Sequence, residues 1–156
     1  MPPALQQRLS GRELRERMTE AILIATIDTT GWPHPALLSY AEVVAVDART
    51  LRFATYRESA TAQNLRERGF MTFCLIAPGS AYYLKARARE LAPSETLARF
   101  EAVVEDVLAD EARAELEGMA TISSGIGFRI LDPAARLAAW TAQVEDLRTA
   151  VAVPRT

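Results

Sequence analysis

The sequence predicts a mostly β fold with flanking helices, and three features of its 156 residues support this. Short runs rich in β-branched and apolar side chains alternate with tight-turn signals, such as residues 28–31 and Pro78-Gly79. A capped helical pattern lies between two of these runs, and an apolar stripe of helical period follows near the C-terminus. Short strands at this spacing are typical of an antiparallel barrel or sandwich.

The composition is that of one globular domain, which we expect to span residues 1–156. Apolar residues make up 49% of the chain, charged residues 24%, and the formal net charge is −2. This charge provides no general attraction to nucleic acid or acidic lipid, so neither is expected as a partner. No apolar run reaches the ~20 residues of a membrane span, and no signal-type apolar core follows the N-terminal arginines, so we expect a cytoplasmic protein.

One cysteine and one histidine restrict the chemistry of the chain. Cys74 lies in the apolar run 71–76, which indicates a buried structural thiol. A single cysteine excludes an internal disulfide framework, and His34 alone excludes a multi-histidine metal centre, so no metal site is expected. His34 stands between two prolines after a turn, where we expect an exposed histidine at a loop edge.

The first two thirds of the chain contain one helix signal followed by a series of strands. Ser10-x-x-Glu13 matches a capping box, which predicts a helix that begins after Ser10 and places Leu14 and Met18 on one face. Turns are predicted at 28–31, 47–49 and 78–79. The predicted strands cover residues 21–27, 35–46, 51–56, 70–76 and 82–91.

The last third is more ambiguous. Residues 97–108 fit both a helical period and strand propensity, and we favour a strand. A helix is predicted over 110–117 and a last strand over 120–131. Asp132-Pro133 is a helix start, with aspartate as N-cap and proline at the first helical position. An apolar stripe follows that should pack on the barrel or on a partner subunit, formed by Leu137, Trp140, Val144, Leu147 and Val151.

The segment 50–69 is the most informative for function. A strand ends near Tyr56, and a short helix runs from about Ala60 to Arg68 and stops at Gly69, a natural residue after a helix end. Ser59 occupies the predicted N-cap. The N-terminus of a helix offers unpaired N–H groups and a positive dipole end, so it can receive a phosphate.

Polar side chains surround this helix start. Ser59 and Thr61 add hydroxyl groups, and Arg57 adds a fixed charge with planar donors suited to phosphate oxygens. Asn64 lies about one turn further along the helix. The alternative interpretation is a connecting helix whose serine satisfies only its own backbone, because such caps are common.

The order of these motifs resembles the pyridoxamine 5′-phosphate oxidase-like, FMN-binding split-barrel family. The similarity rests on Gly31-Trp-Pro-His-Pro, Leu51-Arg-Phe-Ala-Thr, the Ser59-x-Thr61 helix start and Leu84-Lys-Ala-Arg-Ala-Arg-Glu. It covers residues 12–92 well and the C-terminal third more loosely. The resemblance implies an antiparallel split β-barrel with N-terminal, connecting and C-terminal helices, and a homodimer with FMN between its subunits.

The resemblance also implies which residues contact the cofactor. Those expected at the phosphate and ribityl end are Thr55, Arg57, Ser59, Thr61 and Asn64, and Tyr56 is also expected to bind the cofactor. Those expected against the flavin ring, largely through their backbone, are Leu37, Leu38, Ser39 and Tyr40. Tyr83 and Lys85 are expected to reach the flavin edge from the second subunit.

The chain departs from the family pattern at Ala60, Thr61 and Tyr40. Pyridoxamine 5′-phosphate oxidases have Ser-Arg-Lys where this chain has Ser59-Ala60-Thr61, and they have a lysine at the position of Tyr40. Two basic phosphate partners are therefore absent, and Arg57 is expected to compensate for one. Pyridoxamine phosphate is not the expected substrate.

The function predicted by the resemblance is an FMN-dependent oxidoreductase, either a flavin reductase or an oxidase-like enzyme, acting on a small molecule, with NAD(P)H as a candidate electron donor. Since FMN carries the redox chemistry, no dedicated acid–base residue is required. The alternative is a non-catalytic carrier or sensor of flavin, deazaflavin or haem on the same scaffold. A structural dimer that has lost its cofactor is the third possibility.

Overall fold

The computed structural model describes residues 1–111 and 121–152. Within them, the helices are α1 (Pro3–Arg8), α2 (Ala60–Arg68) and α3 (Pro133–Thr149). The strands are β1 (Ala21–Ile27), β2 (Pro33–Ser39), β3 (Val43–Ala45), β4 (Thr50–Tyr56), β5 (Phe70–Ala77), β6 (Ser80–Glu90) and β7 (Leu97–Glu111).

These strands form one sheet in the order β2-β1-β5-β6-β7-β4-β3, and every neighbouring pair is antiparallel. The two outermost strands, β2 and β3, are consecutive in the chain and are separated only by residues 40–42. The sheet therefore curls into a half-barrel. The predicted mostly β fold with flanking helices is confirmed.

The N-terminal helix prediction was wrong in position. The helix α1 precedes Ser10 and begins at Pro3, whose fixed φ suits the first helical turn. Glu13 does not close a capping box, because its carboxylate accepts hydrogen bonds from Gln7 Nε2 (3.3 Å) and Arg17 Nη2 (3.0 Å). The Ser10 hydroxyl instead accepts from the backbone N–H of Arg12, at 3.3 Å.

The strand predicted over 35–46 is two strands, β2 and β3, joined by a turn. The backbone N–H of Glu42 donates to the Ser39 carbonyl at 3.0 Å, which closes a four-residue turn. The Glu42 carboxylate also accepts from the Ser39 backbone N–H (2.6 Å) and hydroxyl (2.8 Å). These local bonds redirect the chain from one edge of the sheet to the other.

Two predictions in the last third need correction. The predicted strand over 97–108 is confirmed as β7, but it extends to Glu111, so Asp110 and Glu111 are not helical as predicted. Residues 112–117 of that predicted helix lie outside the described residues, as does Ala120. The strand predicted over 120–131 is absent from 121–131, where the chain forms only an isolated bridge between Gly127 and Glu20.

Three phenylalanines form the centre of the core. Phe53 of β4 stacks on Phe100 of β7 with ring centroids 5.3 Å apart, and it meets Phe73 of β5 edge-on at 5.4 Å. All three side chains are fully buried. Phe53 and Phe100 are register partners on the adjacent strands β4 and β7. Because β5 is separated from β4 by two strands, the contact between Phe53 and Phe73 joins the two halves of the curled sheet across its interior.

Helix α3 packs against the barrel through part of its predicted stripe. Trp140, Val144 and Leu147 are buried, whereas Val151 is two-thirds exposed. The Asp132 carboxylate accepts from Ala135 N–H at 3.1 Å, which confirms the predicted N-cap. Arg52 Nη1 donates to the last-turn carbonyls of Leu147 (3.3 Å) and Arg148 (2.8 Å). None of the helices in the described ranges is long and apolar enough to cross a bilayer.

We expect Phe53→Ala to lower the free energy of unfolding by about 3–5 kcal/mol, because it opens a cavity between two rings that cannot easily close. Equilibrium denaturation with urea measures the change. Tyr56→Ala is the control on the same strand: Tyr56 is 75% exposed, so its truncation should cost no more than about 0.5 kcal/mol. Equal losses in the two variants would contradict the assigned core.

Candidate functional site

The start of α2 is the candidate site, and its cap has the predicted geometry. Ser59 Oγ accepts a hydrogen bond from Ala62 N–H at 3.1 Å and donates to the Tyr56 carbonyl at 2.7 Å. At the other end, Gly69 adopts a φ of 70° and its N–H donates to the Leu65 carbonyl. The predicted helix, its N-cap serine and its C-terminal glycine are confirmed.

The first turn of α2 leaves backbone donors unused. The N–H groups of Ala60 and Thr61 find no acceptor among residues 1–111 and 121–152. They carry the positive end of the helix dipole, so an anion placed there would be stabilised by charge and by hydrogen bonds. A phosphate group therefore fits this position chemically.

Side chains from the end of β4 surround the same turn. Thr55 Oγ1 lies 3.2 Å from Ser59 Oγ, so the two hydroxyls are linked. The Arg57 side chain is about half exposed, and Glu58 is its ion-pair partner in the described ranges, at 3.9 Å. At that distance the guanidinium donors remain available to an anion. Of the predicted phosphate-end residues, the structure thus brings Thr55, Arg57 and Ser59 to this turn, whereas Thr61 is buried in it. Tyr56 is 75% exposed at the end of β4.

Asn64, the fifth predicted residue of this group, has a structural contact. It is 5% exposed, and its Nδ2 donates to Thr26 Oγ1 at 3.0 Å. Thr26 is fully buried in β1 and donates in turn to the His34 carbonyl at 3.4 Å. The Asn64 amide therefore fastens α2 to β1, and its contact with a ligand stays a prediction.

The residues predicted to lie against a flavin ring sit at the end of β2 and are mostly in the core. Leu38, Ser39 and Tyr40 are buried, whereas Leu37 is 43% exposed. The Tyr40 hydroxyl accepts a hydrogen bond from Arg8 Nε at 2.8 Å. Burial raises the pKa of Tyr40, although the adjacent Arg8 charge offsets part of this effect. Tyr40 is therefore a neutral phenol that ties the N-terminal segment to the barrel.

Tyr83 and Lys85 lie on β6, opposite Cys74 and Thr72 of β5. Lys85 is more than half exposed and pairs with Asp106 across to β7 at 3.6 Å. Cys74, predicted to be buried, is only partly buried, and this partial burial raises the pKa of its thiol. The side-chain alternation of β5 turns Cys74 to the outer face of the sheet, away from Phe73.

His34 also differs from its prediction. It belongs to β2 rather than to a loop edge, and it pairs with Thr26 of β1. Its side chain is partly buried. The β1–β2 turn is shorter than the sequence suggested, because Asp28 Oδ1 accepts from the backbone N–H groups of Thr30 and Trp32 and so returns the chain to the sheet by Pro33.

Sequence reasoning missed Arg66 and Glu90. Arg66 Nη1 donates to the Arg57 carbonyl at 3.1 Å, within the loop that leads into α2. The same guanidinium binds both oxygens of Glu90, at 2.9 and 2.7 Å. Hydrogen bonding to Glu90 raises the pKa of Arg66. The two residues are far apart in the sequence, and no local motif connects them.

The chain belongs to the pyridoxamine 5′-phosphate oxidase family, whose model matches residues 12–130. An uncharacterised Bacillus subtilis protein, YclD, is 29% identical over 152 residues, which cover 95% of this chain and 96% of YclD. Among solved structures, HupZ from Group A Streptococcus aligns with 80% of this chain and all of its own, with a TM-score of 0.56 and 13% identity.

A second solved structure, an F420 reductase, aligns with a TM-score of 0.50 and 13% identity over 62% of this chain and 94% of its own. At such low identity, these structural likenesses establish the fold alone. The match of the family model to residues 12–130 confirms the split-barrel family inferred from the sequence.

We expect Asn64→Ala to destabilise the protein by about 1–3 kcal/mol, because it removes the donor to Thr26 inside the barrel. Thermal or urea unfolding measures the loss. Gln63→Ala is the matched control on the neighbouring, exposed position of α2, and it should change stability by less than about 0.5 kcal/mol. Asn64 would have no structural role if both variants unfolded like the wild-type protein.

Proposed function

We propose that the protein is an FMN-dependent oxidoreductase, a flavin reductase or oxidase-like enzyme, that holds the FMN phosphate at the start of α2. The observation that carries this proposal is the pair of N–H groups at Ala60 and Thr61 that find no acceptor in the described residues, beside the half-exposed Arg57 guanidinium. Together with that guanidinium they form a donor set suited to a phosphate dianion. The Ser59 hydroxyl supports this set by capping the helix and is itself bonded to the Tyr56 carbonyl, and Thr61 is 3% exposed. Membership of the pyridoxamine 5′-phosphate oxidase family supports a flavin as the ligand.

In this proposal the residues of the chain bind and orient the cofactor. Bound FMN would accept and donate electrons at its isoalloxazine ring, supplied by NAD(P)H and passed to a small-molecule acceptor. Arg57 would neutralise phosphate charge in place of the Ser-Arg-Lys residues of the oxidases. Among the residues predicted to lie against the ring, Leu37 is 43% exposed and the other three are buried. Leu37 is therefore the side chain of this group that a flavin ring could contact.

The cofactor site is proposed to be completed by a second copy of the chain. A row of partly or largely exposed apolar and aromatic side chains crosses the outer face of five neighbouring strands. We call it the outer row, formed in register by Leu37, Leu23, Cys74, Tyr83 and Leu108. Contiguous apolar surface of this kind marks interaction sites. Lys85 borders the row, so a homodimer through it would bring Tyr83 and Lys85 towards the partner's flavin.

A second candidate function is a non-catalytic carrier or sensor on the same scaffold. A deazaflavin is its alternative ligand, because one structure of this fold is named an F420 reductase, and F420 is a deazaflavin. Haem is the remaining alternative. The absorption spectrum of freshly purified protein distinguishes the three ligands, and turnover with NADH or NADPH and a panel of acceptors distinguishes an enzyme from a carrier.

We call the start of α2 with Arg57, where the phosphate is proposed to bind, the phosphate seat. The double variant Arg57→Ala/Ser59→Ala tests it. We expect its FMN dissociation constant to rise by about one to two orders of magnitude, since charge-assisted hydrogen bonds contribute about 1.5–3 kcal/mol each. Quenching of flavin fluorescence measures binding. Arg12→Ala/Ser124→Ala removes the same residue types at exposed positions elsewhere and should bind FMN like the wild type. Unchanged affinity in the first variant would contradict the assignment of the phosphate seat.

The outer row is tested by Leu37→Asp, which places a charge on the proposed dimer interface. We expect this variant to be monomeric in light scattering at micromolar concentration, where the wild-type protein should be a dimer. Val46→Asp is the control: Val46 is similarly exposed but lies beside α1. The proposed interface would be contradicted by a monomeric wild-type protein, or by a Leu37→Asp variant that dimerises as tightly as the wild type.

A further inference from the structure

We propose that Arg66, oriented by Glu90, is a positioning residue for the phosphate seat, which it serves by fixing the backbone of Arg57. This inference rests on the function proposed above and deepens it. Arg66 does not need to contact the ligand. It acts on the loop that presents Arg57 and the start of α2.

The loop between β4 and α2 is held on both sides of Arg57. The backbone N–H of Arg57 donates to the Thr96 carbonyl at 3.0 Å, and its carbonyl accepts from Arg66 Nη1 at 3.1 Å. The direction in which a side chain leaves the chain is set by the backbone at its Cα. Fixing both peptide groups therefore fixes the direction in which the Arg57 side chain extends towards a ligand.

Arg66 can hold this carbonyl because its own orientation is restricted. Its Nε and Nη2 donate to the two carboxylate oxygens of Glu90 at 2.9 and 2.7 Å, a bidentate arrangement that fixes the plane of the guanidinium. Both side chains are about one-third exposed. Glu90 is the last residue of β6 and pairs in register with Phe100 of β7. Its carboxylate therefore attaches the Arg66 guanidinium to the rigid sheet.

The arrangement separates two kinds of arginine at this end of α2. Arg66 uses its donors on Glu90 and on the Arg57 carbonyl, whereas Arg57 has one long contact, to Glu58, in the part of the chain that the structure describes. Arg66 is therefore held by contacts within the protein, and Arg57 remains available to a ligand. Loss of Arg66 should therefore cost affinity for the phosphate of FMN and leave the ring contacts unaffected.

Riboflavin provides the readout that a purely structural role would not change selectively, because it has the ring and ribityl chain of FMN without the phosphate. We expect Arg66→Ala to raise the FMN dissociation constant about threefold to tenfold, which corresponds to one net hydrogen bond. Its riboflavin dissociation constant should equal that of the wild-type protein. Glu90→Gln, which keeps the volume of the side chain, should produce a smaller change of the same kind.

Arg68→Ala is the matched control. Arg68 lies on the same helix, and its Nη2 donates to a backbone carbonyl, that of Thr29 in the β1–β2 turn, at 3.0 Å. Its removal should leave both dissociation constants unchanged. Circular dichroism of each variant confirms that it is folded before the titrations are compared.

Three results would overturn the inference. The first is an Arg66→Ala variant that binds FMN as tightly as the wild type. The second is an equal loss of FMN and riboflavin affinity, which would mean a general structural role. The third is an equal effect of Arg68→Ala. A wild-type protein that binds FMN no better than riboflavin would instead contradict the phosphate seat itself, so the two failures are distinguishable.

Discussion

The buried hydrogen bond from Asn64 Nδ2 to Thr26 Oγ1 is the constraint on which the proposed site depends. β1 lies between β2 and β5 in the sheet, so Thr26 is fixed by neighbours on both sides. Asn64 lies one turn after Ala60 and Thr61, whose N–H groups face the proposed phosphate. In a dry environment an unpaired amide or hydroxyl is costly, so the two groups remain joined and α2 keeps its orientation relative to the barrel.

A second set of contacts fixes the loop that leads into α2 and the first turn of this helix. Arg66 and Glu90 hold the loop before α2, while Ser59 closes the first turn. The polar side chains are thus of two kinds. Asn64 and Arg66 are hydrogen-bonded within the protein, whereas the Arg57 guanidinium is half exposed and available to a ligand. The chemistry proposed for this site needs that division, because phosphate binding depends on donors that the fold has not already used.

Much of the fold follows from local sequence signals. The strands and α2 were predictable because turn residues such as Gly69 and alternating apolar residues specify them locally. Three errors arose from contacts that these signals do not encode, two of them local and one distant in the sequence. Glu13 resembles part of a capping box but pairs with Arg17, Glu42 turns the chain after Ser39, and residues 121–131 run along Thr19–Glu20 without forming a strand.

The candidate site was predictable in its helix and cap, but not in its supporting contacts. Ser59, Thr61 and Arg57 stand close together in the sequence, whereas the Arg66–Glu90 and Asn64–Thr26 contacts join residues that only the barrel brings together. The pattern therefore identified Asn64 as a ligand contact, while the structure shows a contact with β1. The central claim is that the N-terminus of α2 binds the phosphate of FMN. Its most direct test is the ¹H–¹⁵N NMR spectrum during titration: the Ala60 and Thr61 amide protons should move downfield with FMN and not with riboflavin, and unmoved resonances in FMN-saturated protein would contradict the account.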